Sequence, residues 1–231
     1  MIGIIGAMDV EVENLLASMP VKKAETISGI TYHLGKLAGK DCVVAKCGIG
    51  KVAAAVCAQT MILTYAPEAI INVGVAGGMG LDVHIGDVVI SSGLVQHDMD
   101  TSAIGDEKGL ISGINLIVIP ATKSLADVTA EAAERIYGKQ KVHVGIIASG
   151  DQFISDGERM NRIKDEFGAC ACEMEGGSIA QVCYLNQKNF VVIRAISDNA
   201  NEKAAVDYTA FFAKSAHETT QLITEILPKL S

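Results

Sequence analysis

The chain has 231 residues, of which 49% are hydrophobic and 20% charged, a composition typical of a well-buried globular protein. Its net charge of −8 argues against nucleic acid or an anionic membrane as the main partner, because both attract basic surfaces. The opening apolar segment 2–6 is too short for a signal peptide, and no stretch supplies the ~20 apolar residues of a membrane helix. We therefore predict a soluble, cytoplasmic protein with one domain over residues 1–231.

The six cysteines are interpreted as buried free thiols of a reducing compartment. They lie in apolar segments, and the close pair Cys170 and Cys172 has the spacing C-x-C rather than C-x-x-C. The five histidines are scattered and form no H-E-x-x-H pattern. Neither a metal site nor a cofactor is predicted.

Apolar runs alternate with helical patterns along the chain, which predicts an α/β fold with a mixed central β-sheet flanked by helices. Strands are predicted over 2–5, 30–37, 41–46, 69–73, 86–92, 141–148, 170–173 and a run that begins at 190. Helices are predicted from 9, over 51–65, 120–137 and 157–167, after 177 to about 186, and over about 207–229. Pro120 is expected in the first turn of its helix, where proline is tolerated.

Polar residues follow several of the predicted strands. Asp198 comes directly after the strand that begins at Phe190, and Glu11 and Glu175 follow two other strands. In sheets buried on both faces, ligands bind beyond the carboxyl ends of the strands. Taken singly, however, Asp198 and Glu175 fit helix caps or turns, and Glu11 fits the acidic start of a helix. Position alone leaves both interpretations open.

The glycine-rich segment 48–53 follows a strand and opens a helix, so it fits the dinucleotide-binding pattern G-x-G-x-x-A. It does not lie on the first strand, and the acidic residue expected about 20 positions later has only Glu68 as a poor candidate. A tight strand-to-helix turn that needs glycine is the better interpretation. An oxidoreductase is accordingly disfavoured.

Five ordered segments carry a resemblance that covers essentially the whole chain. They are GIIGAM at 3–8, GIGKV at 48–52, SGD at 149–151, EME at 173–175 and RAISD at 194–198. Together they resemble the 5′-methylthioadenosine/S-adenosylhomocysteine nucleosidases, which have the purine nucleoside phosphorylase/nucleosidase fold. Five motifs in matching order are more specific than any single glycine loop.

The resemblance implies hydrolysis of an N-glycosidic bond with release of adenine, and it assigns four residues to catalysis. Asp198 would protonate adenine at N7, and Ser197 would orient Asp198. Glu11 would be the base that activates water, with Arg194 close by. The implied substrates are 5′-methylthioadenosine and S-adenosylhomocysteine, with 5′-deoxyadenosine as a further candidate.

The resemblance also implies a binding site for the adenine nucleoside and a homodimer in which the partner donates a loop. Glu175 and Met174 would hold the ribose, Phe153 and Ile154 would flank adenine, and Gly77 would lie along the ligand. The full set implied in substrate binding is Met8, Ile49, Gly77, Phe153, Ile154, Glu173, Met174, Glu175 and Tyr208.

The chemistry requires these residue types for independent reasons. Breaking the bond passes through an oxocarbenium-like state, and adenine leaves poorly unless it is protonated. A carboxylic acid supplies that proton at neutral pH only if its surroundings raise its pKa. Acid–base assistance of this kind contributes about 10²–10⁴ in rate.

Three departures from the family pattern bear on the substrate and on the alternatives. Val75 stands where the family usually has serine, the loop 104–110 lacks the usual aromatic residues, and Tyr208 stands where phenylalanine is common. Preference at the 5′ position is therefore less defined than the reaction. A phosphorolytic enzyme of the same fold is disfavoured by Val75 and by the lack of arginine before Arg135. A catalytically silent nucleoside-binding protein is disfavoured because acid, base and ribose carboxylate are all present.

Overall fold

The computed structural model describes residues 1–80, 82–199 and 208–230, and ten strands in these ranges form one mixed sheet. The strands are β1 Ile2–Gly6, β2 Val21–Ile27, β3 Ile30–Leu37, β4 Lys40–Lys46, β5 Ala69–Gly78, β6 Val88–Gln96, β7 Val118–Pro120, β8 Val142–Ser149, β9 Ala169–Glu173 and β10 Asn189–Asn199. The α-helices are α1 Asp9–Ser18, α2 Lys51–Tyr65, α3 Lys123–Tyr137, α4 Gly157–Phe167, α5 Gly176–Leu185 and α6 Tyr208–Ile226.

The sheet closes on itself around five of its strands. Strand β5 pairs in parallel with β10 and in antiparallel fashion with β9, while β10 pairs with β6, β6 with β8 and β8 with β9. The remaining path runs outward from β5 through β1, β4 and β3 to the edge strand β2. As a result, the carboxyl ends of β1, β5 and β10 lie together, and β9 crosses the end of β5 from the opposite direction.

Successive side chains of the central strands point to opposite faces of the sheet, where they pack in two apolar clusters. One cluster contains Ile5 and Val192 together with residues of α2 and α5. The other contains Ile4 and Ile193 together with residues of α1, α3 and α6. Because both faces are covered, the central strands read as continuous apolar runs. Within the described ranges, no helix combines the length and apolar character needed to cross a membrane.

The predicted α/β class and mixed sheet are confirmed, but strands β2 and β7 were not predicted and the prediction for Pro120 is wrong. The edge strand β2 was not predicted, because its side chains are mostly exposed and its lysines obscure any apolar alternation. Pro120 does not start a helix. It ends strand β7 opposite Gly93 of β6, and α3 begins at Lys123. Proline is tolerated at such a strand edge because its missing N–H is not needed for the ladder. The predicted helix start at Asp207 lies outside the described residues.

Candidate active site

A cavity of about 340 Å³ lies where β1, β5, β9 and β10 converge. This volume falls within the range of pockets that hold small ligands, about 300–1,000 Å³. Its described lining comprises Ala7, Met8, Val10, Glu11, Ile49, Val75, Ala76, Gly77, Phe153, Cys172, Glu173, Met174, Glu175, Ser197 and Asp198. Four acidic residues, namely three glutamates and Asp198, thus line an otherwise largely apolar cavity.

Glu11 is held in the first turn of α1 by backbone donors. The N–H groups of Ala7 and Met8 donate to its Oε2 at 2.6 and 2.9 Å, and the N–H of Val75 donates to its Oε1 at 3.1 Å. Burial raises the pKa of Glu11, whereas the charge of Arg194 and these hydrogen bonds oppose the rise. The carboxylate is therefore fixed in place from both β1 and β5.

Asp198 lies at the carboxyl end of β10, directly opposite Gly77 of β5. The Ser197 hydroxyl donates to Asp198 Oδ1 at 2.6 Å, which fixes the orientation of this carboxyl group. A Cβ atom at position 77 would lie 3.3 Å from Asp198 Oδ2 and 3.2 Å from the Cε of Met160. Glycine at this position therefore leaves room for the carboxyl group beside the cavity.

Glu175 precedes helix α5 and reaches across to the start of α2. Its Oε1 accepts a hydrogen bond from the Gly50 N–H at 2.9 Å, and its Oε2 lies 3.9 Å from a guanidinium nitrogen of Arg194. Burial, followed by repulsion from Glu173, raises the pKa of Glu175. This carboxylate lines the cavity beside Met174.

Glu173 also lines the cavity, but its carboxylate is engaged by protein groups. Its Oε2 accepts hydrogen bonds from the N–H groups of Glu175 and Gly176 at 3.0 and 2.7 Å, and it pairs with Arg194. Its Oε1 accepts from the Ser149 hydroxyl. These contacts indicate a residue that fixes the start of α5 rather than one free to bind a sugar hydroxyl.

Arg194 is 1% exposed and lies close to Glu11, Glu173 and Glu175, which together form the acidic wall of the cavity. It pairs with Glu173 and donates to Asn72 Oδ1 at 2.6 Å. Burial lowers the pKa of Arg194, but attraction from the three glutamates outweighs burial and holds the pKa above its ordinary value. A Cβ atom at Gly74 would lie 2.5 Å from Glu11 Oε1 and 3.1 Å from Arg194 Nη1, so both side chains pack on one glycine.

Asn72 is a contributor that the sequence pattern did not reveal. It is fully buried, and its side-chain amide donates to the Ile5 carbonyl at 2.9 Å while its oxygen accepts from Arg194. The available signal was a polar residue inside the apolar run of β5. A buried amide needs hydrogen-bond partners, so an asparagine in such a run points to a buried polar neighbour.

The apolar residues implied in binding fall into two groups. Met8, Ile49, Phe153 and Met174 line the cavity, and Ile49 and Phe153 are 61% and 72% exposed. Ile154 is instead buried in a cluster with Met79, Met160 and Ile163. The side chain of Tyr208 lies outside the described residues.

The backbone N–H groups of the glycine-rich turn before α2 bind carboxylates from other segments. Gly50 has φ +98° and donates to Glu175, and the Lys51 N–H donates to Asp151 Oδ1 at 2.7 Å. A dinucleotide phosphate would need these same helix-terminal N–H groups. The turn interpretation of the segment 48–53 is therefore favoured. In the described portion of the chain, no three His, Cys, Asp or Glu side chains are grouped to hold a metal ion.

The sequence is similar to known proteins along nearly its entire length. Residues 1–228 match the family model of the phosphorylase superfamily. A 5′-methylthioadenosine/S-adenosylhomocysteine nucleosidase of Shewanella pealeana is 43% identical over 230 residues, covering 99% of both chains.

Solved structures give the same result. A nucleosidase of this name from Campylobacter jejuni aligns with a TM-score of 0.93 at 34% identity, covering 99% of each chain. Another, from Neisseria meningitidis in complex with methylthio-immucillin-A, aligns with a TM-score of 0.92 at 36% identity and the same coverage. The chain therefore belongs to the phosphorylase superfamily and, within it, to the family of 5′-methylthioadenosine/S-adenosylhomocysteine nucleosidases, and it is an N-glycosyl hydrolase.

Proposed function

We propose that the protein hydrolyses the N-glycosidic bond of 5′-methylthioadenosine and S-adenosylhomocysteine, and that 5′-deoxyadenosine is a further candidate substrate. The observation that carries this proposal is the placement of Asp198 and Glu11 on one cavity, beside different points of β5. Asp198 lies against Gly77 and Glu11 against Gly74, three residues and roughly 10 Å of strand apart. Such spacing leaves room for a water molecule between a carboxylate base and the sugar, as in inverting glycosidases.

Asp198 is the general acid in this mechanism. Its carboxyl group, oriented by the Ser197 hydroxyl, protonates adenine at N7, so that the base leaves as a neutral molecule. The leaving group takes the electron pair of the C1′–N9 bond. The transition state therefore carries its positive charge mainly on the ribose, next to the acidic wall.

Glu11 is the base that takes a proton from the attacking water. Its raised pKa brings it closer to neutrality, where a general base is most effective. The charge of Arg194 keeps the ionised form accessible despite burial. The three backbone N–H donors fix the carboxylate, so no reorganisation is needed when the water reacts.

Glu175 and Met174 hold the ribose between the acid and the base. An ionised Glu175 accepts charge-assisted hydrogen bonds from the sugar hydroxyls. Phe153, Ile49 and Met8 supply apolar contact to the nucleoside at the cavity rim.

Water is favoured over phosphate as the nucleophile. The described cavity-lining residues include neither lysine nor arginine, and the guanidinium of Arg194 is already paired with Glu173. Phosphate would need basic groups or several free donors. Val75 contributes no hydroxyl, and its N–H is taken by Glu11.

We further propose a cytoplasmic homodimer. Val52, Val56 and Leu63 form an exposed apolar stripe along about 16 Å of α2, and the exposed Ile49 of the cavity rim lies at its start. A second copy placed on this stripe would cover apolar surface and reach the cavity mouth. All six cysteines are free, which agrees with a reducing compartment.

The reaction is tested by incubating the protein with 5′-methylthioadenosine and following free adenine, with and without phosphate. We expect equal rates under both conditions, with ribose reducing ends formed in step with adenine. A strict phosphate requirement would establish phosphorolysis instead. Tight binding without turnover would show a silent nucleoside-binding protein.

Removing the acid or the base should impair turnover more than binding. Asp198→Asn should abolish adenine release while 5′-methylthioadenosine still binds in calorimetry, and Glu11→Gln should lower kcat at least ~10²-fold. Glu13→Gln, an exposed substitution on the same helix as Glu11, is the matched control and should retain wild-type kcat. Near-normal turnover by Asp198→Asn would refute the assignment of the general acid.

The raised pKa values of Glu11 and Glu175 predict how stability depends on pH. Above their ordinary pKa values, the folded chain holds more protons than the unfolded chain, so the free energy of unfolding falls as pH rises through the raised values. Glu11→Gln and Glu175→Gln should each flatten this decline, by at most about 1.4 kcal/mol per pH unit for each proton. Urea unfolding from about pH 5 to about pH 8 measures the slope. Slopes equal to that of the Glu13→Gln control would contradict the raised pKa values.

The proposed dimer is tested at the apolar stripe of α2. Val52→Asp places a charge in the interface and should shift sedimentation velocity profiles towards the monomer. Val144→Asp, at an exposed valine of β8, is the matched control and should leave the dimer intact. A monomeric wild-type protein, or a dimer unaffected by Val52→Asp, would rule out this interface.

A further inference from the structure

The segment 83–87, which precedes β6, holds strand β10 just before the catalytic acid. The Ile196 N–H donates to the Asp87 carbonyl at 2.9 Å, and the Gly86 N–H donates to the Ile196 carbonyl at 3.0 Å. Beyond them, Ala195 pairs with Val88 in the antiparallel ladder. Ile196 is thus fixed on both its N–H and its C=O by one short turn.

This fixation matters because the other ladder is interrupted at the next residue. The pairing of β10 with β5 shifts register between Ile196 and Asp198, and Asp198 then lies opposite Gly77. Residues at such a shift are not held by regular ladder bonds. The position of Asp198 therefore depends on how firmly Ile196 is anchored by the segment 83–87.

The side chain of Asp87 holds that segment together. Its Oδ2 accepts from the His84 N–H at 2.9 Å and lies 2.9 Å from Nε2 of His143 on the neighbouring strand β8. Asp87 is only 5% exposed, and it does not belong to the described lining of the cavity. A buried carboxylate is retained at a cost unless it is hydrogen-bonded. No step of the proposed reaction uses it.

We infer that Asp87, braced by His143, is a positioning residue that sets the place of Asp198 through the backbone of Ile196. The inference rests on the proposed role of Asp198 as the general acid. Displacing a catalytic group by about 1 Å can cost about 10²-fold in rate. Loss of the Asp87 side chain should therefore impair proton donation to the leaving group more than it impairs substrate binding or attack by water.

A pair of substrates separates these effects. 5′-Methylthioadenosine needs protonation of its leaving group. The p-nitrophenyl glycoside of the same 5-methylthioribose does not, because p-nitrophenolate leaves as an anion. In both reactions, water oxygen bonds to C1′, the glycosidic bond breaks with its electron pair on the leaving group, and a water proton passes to Glu11. The ratio of the two kcat/KM values therefore reports on the general acid.

We expect Asp87→Asn to lower the ratio of the adenine substrate to the nitrophenyl substrate by about 10- to 100-fold. The loss should lie mainly in kcat, with KM for 5′-methylthioadenosine changed less than about threefold. Asp82→Asn, at an exposed aspartate of the same loop, is the matched control and should leave the ratio unchanged. Asp198→Asn should lower the ratio further than Asp87→Asn.

Histidine variants test the same brace if Asp87→Asn folds poorly. His143→Gln keeps an N–H donor for Asp87 and should retain a higher ratio than His143→Leu. Equal losses for both substrates, or no loss for either substrate in Asp87→Asn and His143→Leu, would overturn the positioning role. If Asp198→Asn itself fails to change the ratio, the general-acid assignment falls, and this inference falls with it.

Discussion

The buried guanidinium of Arg194 is the interaction on which the site depends. Three glutamates, Glu11, Glu173 and Glu175, lie close enough to raise the pKa of Arg194, and all three also line one cavity. Like charges gathered in a region of low dielectric would raise one another's pKa values until they were neutral. A single cation beneath them reduces that repulsion. With this cation close by, the three glutamates can line one cavity and still ionise.

The burial of Arg194 has a cost that the surrounding network offsets. Asn72 and Glu173 accept hydrogen bonds from the guanidinium, and Asn72 in turn donates to the backbone of β1. Glu173 also binds the first N–H groups of α5, which places Glu175. Removing any one member would leave a buried charge or donor without its partner. Such a loss usually lowers the stability of the fold more than replacing the whole network by apolar side chains would. The same contacts that keep Arg194 buried therefore also fix the Glu175 carboxylate at the cavity.

The positions of the carboxylates proposed for catalysis could be predicted from the sequence, but the roles of Asn72 and Asp87 could not. Glu11 and Asp198 stand at the ends of apolar strands, and strand ends in a covered sheet share a mouth. The placement of the site follows from this local rule. Asn72 and Asp87, by contrast, act on partners distant in the chain. Asn72 contacts Arg194 across 122 positions and Asp87 contacts His143 across 56, so no local pattern identifies their partners. Pro120 was misplaced for a related reason, because pairing with β6, a tertiary contact, made it the end of a strand rather than the start of a helix.

Val75 shows how a change in one side chain can leave a site's framework intact. Its backbone N–H donates to Glu11, and this contact is independent of the side chain. Val75 and Glu11 also border a second cavity of about 10 Å³, the size of one water molecule, lined by Ser215 and Thr219 of α6. The pKa of Glu11 is set jointly by burial, which raises it, and by the charge of Arg194 and the N–H donors of Ala7, Met8 and Val75, which lower it. These groups lie on β10, on β5 and just after β1, so the pairing of β1 and β10 with β5 is what brings them around Glu11.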